Sequence, residues 1–209
     1  LKLGYNRAGR LIDQLEAASG RDLTPWVSTW LRTAGVNTLR PVIEVDGANY
    51  KSISIKQEVP TMPVGSKELR PHRLHVGLFD ISGDKLTRRT SVELDIAGAL
   101  TDVSALAGEK VADLVLINDK DQTYAKLRFD DRSIATLKTH LGKFDDALAR
   151  ALCWASIWDM HRDAEISTSD FIEIALNGLA GESDDAIVNI VLMQLNTSVE
   201  AYAKDSNRA

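Results

Sequence analysis

The sequence predicts a multi-element α and β chain: an antiparallel β-sandwich flanked by N-terminal helices and a C-terminal α-helical, solenoid-like region. Three observations carry this. Residues 1–37 and 131–209 place apolar side chains at helical spacing, residues 38–130 alternate with period two, and no crossover helix separates the alternating runs. Without crossovers the strands cannot form parallel βαβ units, so hairpin-linked antiparallel strands remain. The 209 residues are 44% hydrophobic and 26% charged, an ordinary globular balance.

Ile12, Leu15 and Ala18 recur along one side of the first predicted helix, and Gly20 ends it. A second helix opens in DLTPWVSTWLRTAG, with Thr24 as N-cap and Pro25 at the first helical position. Trp26, Trp30 and Ala34 share one line, Leu23, Val27 and Leu31 widen it, and Gly35 supplies the left-handed stop. The strands begin with PVIEVDG and NYKSISIKQEV, where Ile53, Ile55 and Val59 face one way and Ser54 and Lys56 the other. Asp46-Gly47 marks the turn, lengthened by Ala48 and Asn49. After a loop with three prolines come RLHVGLFDI, TSVELDIAG, KVADLVLIND and TYAKLRFD, which makes six or seven strands in all. Four helices follow: DRSIATLKTHL; DDALARALCWASIWDMHRD, with Leu148, Leu152, Ala155 and Trp158 or Ile157 on its apolar side; STSDFIEIALNGLAG, with Ser167 capping and Asp170 at the third helical position; and SDDAIVNIVLMQLNTSVEAYA, with Asp184 and Asp185 at its positive end. Short links between helices point to a bundle or solenoid that begins here and leaves one face open.

Residues 1–41 carry net charge +3, residues 42–130 carry −2 and residues 131–209 carry −6, which argues against a nucleic-acid footprint. No apolar run reaches the roughly 18 residues of a membrane span. LKLGYNRAGR lacks the pattern of a signal peptide and a starting Met, so a fragment boundary is expected. The one cysteine, Cys153, sits in ALCWASIW and is expected as a buried small hydrophobe; a cytoplasmic location fits it.

No active site emerges from the residues themselves. His72 and His75 are three apart on a strand and face opposite ways, poor metal geometry, and belong at a surface or loop edge. His140 and His161 fall at helix ends, where a partly positive ring helps the dipole. Asp119, Asp121 and Thr123 alternate like calcium ligands, but the glycine and closing glutamate of an EF-hand are missing, and a turn explains them. Asp159, Asp163 and Glu165 form a carboxylate group at a helix end. Catalytic, cofactor-binding and metal-binding residues are therefore expected to be none within this chain.

Three segments carry a resemblance. SGRDLTPWVSTWLRTAGVNTLRPVIEV resembles the "SGxDLxxWxxxWLxxAGxNTL" junction of M1-family zinc aminopeptidases of the aminopeptidase N type, especially the actinobacterial branch. LVLINDKDQTYAKLRFDDRS resembles the end of that family's small β-sandwich domain, and RALCWASIWDMHRDAEISTSDFIEIAL the first helices of its C-terminal domain. The likeness runs from about residue 11 to 195. It implies residues 1–37 as the terminal helices of a catalytic domain, 38–130 as the sandwich domain and 131–209 as the beginning of the helical domain. It also implies a parent that releases N-terminal residues from peptides, with zinc held by HExxH and a further glutamate, and a GxMEN loop for the substrate amine. Neither motif occurs in this sequence, and the resemblance places both upstream of Leu1. The chain would then link and support the neighbouring domains, packing against the catalytic one through Trp26 and Trp30, with no zinc of its own and no nucleic-acid or membrane partner. Two other readings are an adaptor module built on a sandwich with no enzymatic parent, and a small hydrolase around His161, Asp159 and Asp163.

Overall fold

The computed structural model describes residues 2–203. Helix α1 (Lys2–Ser19) ends where the Gly20 amide bonds the Glu16 carbonyl and Gly20 takes φ +66°. Helix α2 (Thr24–Trp30) is shorter than its sequence suggests. Leu23, not Thr24, is its N-cap, Asp22 accepts from the Thr24 amide, and the helix closes before Ala34 and Gly35. Gly35 has φ +91° for a different reason: its backbone packs on Pro60 and the Met62 carbonyl, where a Cβ would collide.

Seven strands follow. β5 (Leu100–Asp102), β2 (Asn49–Glu58), β1 (Thr38–Asp46) and β7 (Lys126–Leu127) form one sheet in that order, and β4 (Lys85–Ile96), β3 (His72–Ser82) and β6 (Leu114–Ile117) form the other. All pairings are antiparallel except the short β1–β7 contact, which is parallel. The β1–β2 turn is tighter than expected, since Asn49 already pairs with Asp46 and only Gly47 and Ala48 lie between. On β2, Ile53 and Ile55 point into the core with Gln57, while Val59 lies beyond the strand and is exposed.

Helices α3 (Asp131–His140), α4 (Ala147–Arg162), α5 (Thr168–Leu179) and α6 (Asp185–Thr197) complete the chain, with a π-helical turn at Ser198–Tyr202. Their caps follow local chemistry. Asp146 accepts from the amides of Leu148 and Ala149, Ser167 from Asp170, and Asp184 from Ala186 and Ile187.

The arrangement has three layers. Leu39, Ile53 and Ile55 of one sheet meet Leu74, Val76, Leu78, Val115 and Ile117 of the other, which makes the sandwich core. The far face of β4-β3-β6 offers Phe79, Leu86, Leu114 and Leu116 to the helices, where Leu137, Cys153, Trp154, Ile157, Phe171 and Ile174 cover them. That explains β6, Leu-Val-Leu-Ile, buried on both faces and therefore apolar without alternation. On α4 the buried side is turned from the expected one. Ala149, Cys153, Ile157 and Met160 are buried, whereas Leu148 and Ala155 are exposed. Apolar residues occur all round this helix, so their spacing does not select a face.

Candidate functional site: a charged junction beside a tryptophan cleft

The charged residues of the middle and end of the chain meet at two seams. In the first, Asp119 follows β6 and is fully buried. It accepts two hydrogen bonds from Arg88 of β4, both 2.8 Å, and one from Ser91 Oγ at 2.8 Å. Arg88 reaches on to Asp146 at 2.6 Å, the cap of α4, and lies over the Phe79 ring at 5.0 Å. Burial alone would raise the Asp146 carboxyl, but the Ala149 amide and Arg88 outweigh it and hold it below the usual carboxylate range. Gly77 makes room: a Cβ there would lie 2.7 Å from the Asp119 carboxyl carbon.

The second seam joins β1 and β7 to the end of α4. Arg128, almost wholly buried, bonds Asp163 and also Glu165, the latter at 2.5 Å. Lys126 bonds Asp163 at 2.6 Å, and Arg40 bonds Glu165 at 2.8 Å. Burial pushes both acids up, and these cations more than reverse it, so both stay ionised below their ordinary range. Two of the three acids expected as a carboxylate group are thus neutralised by the sandwich; the side chain of Asp159 takes no part in the seam.

The other expected positions separate cleanly. Asp121 and Thr123 belong to a turn in which Asn118 and Asp121 take positive φ and the Asn118 side chain accepts from Gln122 and Thr123 amides. Asp119, expected in that same turn, is instead the buried anchor of the first seam. Cys153 is buried as expected, and burial drives its thiol pKa well up. His75 faces Gln122 at 2.5 Å, and His140 contacts Thr139 at 2.8 Å.

His72 is not at a surface edge but buried. The Arg70 carbonyl takes a hydrogen bond from Gln57 Nε2 at 2.8 Å, which fixes the Gln57 amide. That nitrogen faces His72 Nε2 at 3.3 Å, so Nε2 accepts and Nδ1–H donates to Thr123 Oγ1 at 2.7 Å. The ring is therefore neutral, and burial, with the Arg70 charge second, lowers its pKa to about 4. His161 is also no dipole partner. It is buried, stacked 4.9 Å from Phe171 and flanked by Trp158 and Tyr202; burial lowers its pKa, opposed by the Ile166 backbone. Its only link to Asp163 is through backbone, the Asp163 amide bonding the His161 carbonyl, and neither ring nitrogen has a side-chain hydrogen-bond partner among the described residues, so the side chains of His161, Asp159 and Asp163 form no hydrogen-bonded cluster.

A neutral His72 binds its proton more tightly when unfolded, so its contribution is full above about pH 6.5 and is lost as pH falls toward 4. Urea denaturation at pH 7.5 and 4.5 is expected to show about 2 kcal/mol more loss for the natural chain than for His72→Asn. Equal losses would mean the ring does not stay neutral.

Beside His72 lies a cleft of about 740 Å³ lined by Trp26, Trp30, Arg73, Asp95 and Tyr124, among others. Trp26 is 42% exposed, whereas Trp30 is half-buried, edge-on to His72 at 5.2 Å and beneath Arg70 at 5.6 Å. Of the two rings expected on an open face, only Trp26 is bare.

Over 210 aligned residues, 98% of this chain is 45% identical to an aminopeptidase N of Streptomyces lividans. The chain belongs to the aminopeptidase N family. Its residues 114–209 match the family described as ERAP1-like C-terminal domain, a match that begins in β6 and takes in every helix from α3 onward. The chain spans 24% of the length of the Streptomyces aminopeptidase N. This likeness speaks against the reading of an adaptor module with no enzymatic parent. The zinc implied for such an enzyme has no ligand set here: among the described residues no group of three His, Cys, Asp or Glu side chains could hold a metal ion. No helix among them is long and apolar enough to cross a membrane.

The second seam had a faint sequence signal. Arg128 lies between Leu127 and Phe129, whereas Asp119 sits in the polar stretch Asn118–Asp121 and carries no such signal. A lone charge inside an apolar stretch needs a buried partner, but nothing in the spacing names it.

Proposed function

We propose that this chain is a non-catalytic supporting segment of a zinc-dependent metallo-aminopeptidase that releases N-terminal residues from peptides, with the cytoplasm as its compartment. One observation carries the reading: the charged side chains that could have formed a reactive cluster are consumed in ion pairs between the sandwich and the helices. Such seams fix one domain's orientation on another and hold Asp119, Asp163 and Glu165 in ion pairs. The 45% identity to an aminopeptidase N supports an enzymatic parent. Trp26 and the apolar side of α2 are the surface offered to a catalytic domain, which gives the exposed ring its use.

The isolated chain is expected to hydrolyse no aminoacyl-anilide, with or without added zinc, while a chain extended to the parent's full length does. Hydrolysis that scales with the isolated chain, survives repurification and is lost in a matched Asp163→Asn variant would overturn the supporting role.

A further inference from the structure

We propose that α2 is a detachable arm held on the sandwich chiefly by Arg70, and that the mechanical joint of the described chain is residues 31–36 rather than the sandwich–helix boundary near residue 130. The inference goes beyond the supporting role and does not depend on it.

The boundary near residue 130 is crossed by a continuous core. Phe79, Leu86, Leu114 and Leu116 of the second sheet are packed by α3, α4 and α5, and the two ion-pair seams bridge the same interface. The β6 strand serves both cores, so sandwich and helices cannot part without exposing its apolar residues.

Helix α2 is held in another way. None of its residues is buried. Arg70, itself buried, spreads its guanidinium over the last turn of the arm and the joint that follows it. Nε donates to the Thr29 carbonyl at 3.0 Å, and Nη2 to Thr33 Oγ1 at 2.6 Å and the Ala34 carbonyl at 3.3 Å. The guanidinium also lies over Trp30. Its remaining arm, Nη1, donates to Asn37 Oδ1 at 3.0 Å. Asn37 is the fixed end, because its side-chain amide donates to the carbonyls of Glu58 and Glu68 and its carbonyl takes the Lys126 amide. One planar cation thus ties the arm to the post on which it turns. Such a contact is directional and breaks as a unit, whereas a shared apolar core yields only with the fold. Release of α2 would open the cleft between Trp30 and His72 and turn both tryptophans outward.

Hydrogen exchange on the chain as it stands tests this. Arg70→Met is expected to speed amide exchange across residues 27–34 at least tenfold, with β3, β6 and α4 unchanged. Thr33→Val, which removes one acceptor of Arg70 and the hydroxyl's own bond to the Thr29 carbonyl, is expected to give a smaller increase confined to the same amides, and it carries the test if Arg70→Met does not fold. Unchanged exchange in 27–34 would overturn the latch. Faster exchange in β3 and β6 as well would make Arg70 a general stabiliser and overturn the arm. Exchange of α4–α6 independent of β6 in the natural chain would move the joint back to residue 130.

Discussion

Asp119→Ala is expected to lower the unfolding free energy by about 3 kcal/mol, read as a shift in urea midpoint at constant slope. The carboxylate is wholly out of water and balances one charge and one hydroxyl. Its loss strands Ser91 Oγ and leaves Arg88, whose side chain is 29% exposed, with Asp146 alone. That residual pair and partial exposure keep the effect at the low end of the range for a broken buried ion pair. Asp119→Asn keeps the volume and one acceptor and should cost about 2 kcal/mol. Replacing both partners, Arg88→Met with Asp119→Leu, should recover most of the loss, because it removes the unpaired charge rather than its neutraliser. A loss below about 1 kcal/mol for Asp119→Ala would mean the seam is structurally idle. The transition should remain single, since β6 belongs to both cores.

Asp119 also marks where sequence reasoning stops. The elements were legible because each rests on local rules: period two in NYKSISIK, Gly20 after α1, Ser167 as a cap, and Asp184 at the positive end of α6. Length was misjudged in α2, where Trp26, Trp30 and Ala34 keep helical spacing but the chain turns after Trp30 to bring Thr33 and Ala34 onto Arg70. Facing was misjudged in α4, since buried Arg150, Ser156 and His161 are polar and exposed Leu148 is not. Partnership was not legible at all. Arg40 and Glu165 are 125 positions apart, and the parallel β1–β7 contact that brings their seam together has no turn signal. A family resemblance reached the architecture. The ion pairs depend on three-dimensional closure that periodicity does not encode.

Gly142→Ala is expected to cost about 3 kcal/mol, a large effect for one methyl group. Gly142 lies in the short turn after α3 and approaches the end of α5 backbone to backbone. A Cβ there would overlap the Gly178 carbonyl oxygen and lie 3.2 Å from Gly181 Cα. The contact is mutual, because a Cβ on Gly181 would overlap the Gly142 carbonyl. Backbone on either side cannot rotate away as a side-chain end would, so the whole α3–α5 spacing must give. Gly178 closes the same knot against α4: a Cβ there would lie 2.6 Å from the Trp154 ring, which is pinned by a 3.0 Å bond from its indole N–H to Glu182. Gly9→Ala, in α1 with nothing within 4 Å, is the matched control and should be neutral or slightly stabilising. If Gly142→Ala matched that control, the close helix contact would be dispensable. If it instead destabilises as expected, the glycines of the α5 end act as packing surfaces as well as a helix stop. The orientation of α3, α4 and α5 on the sheet then rests on absent side chains as much as on the apolar ones that cover it.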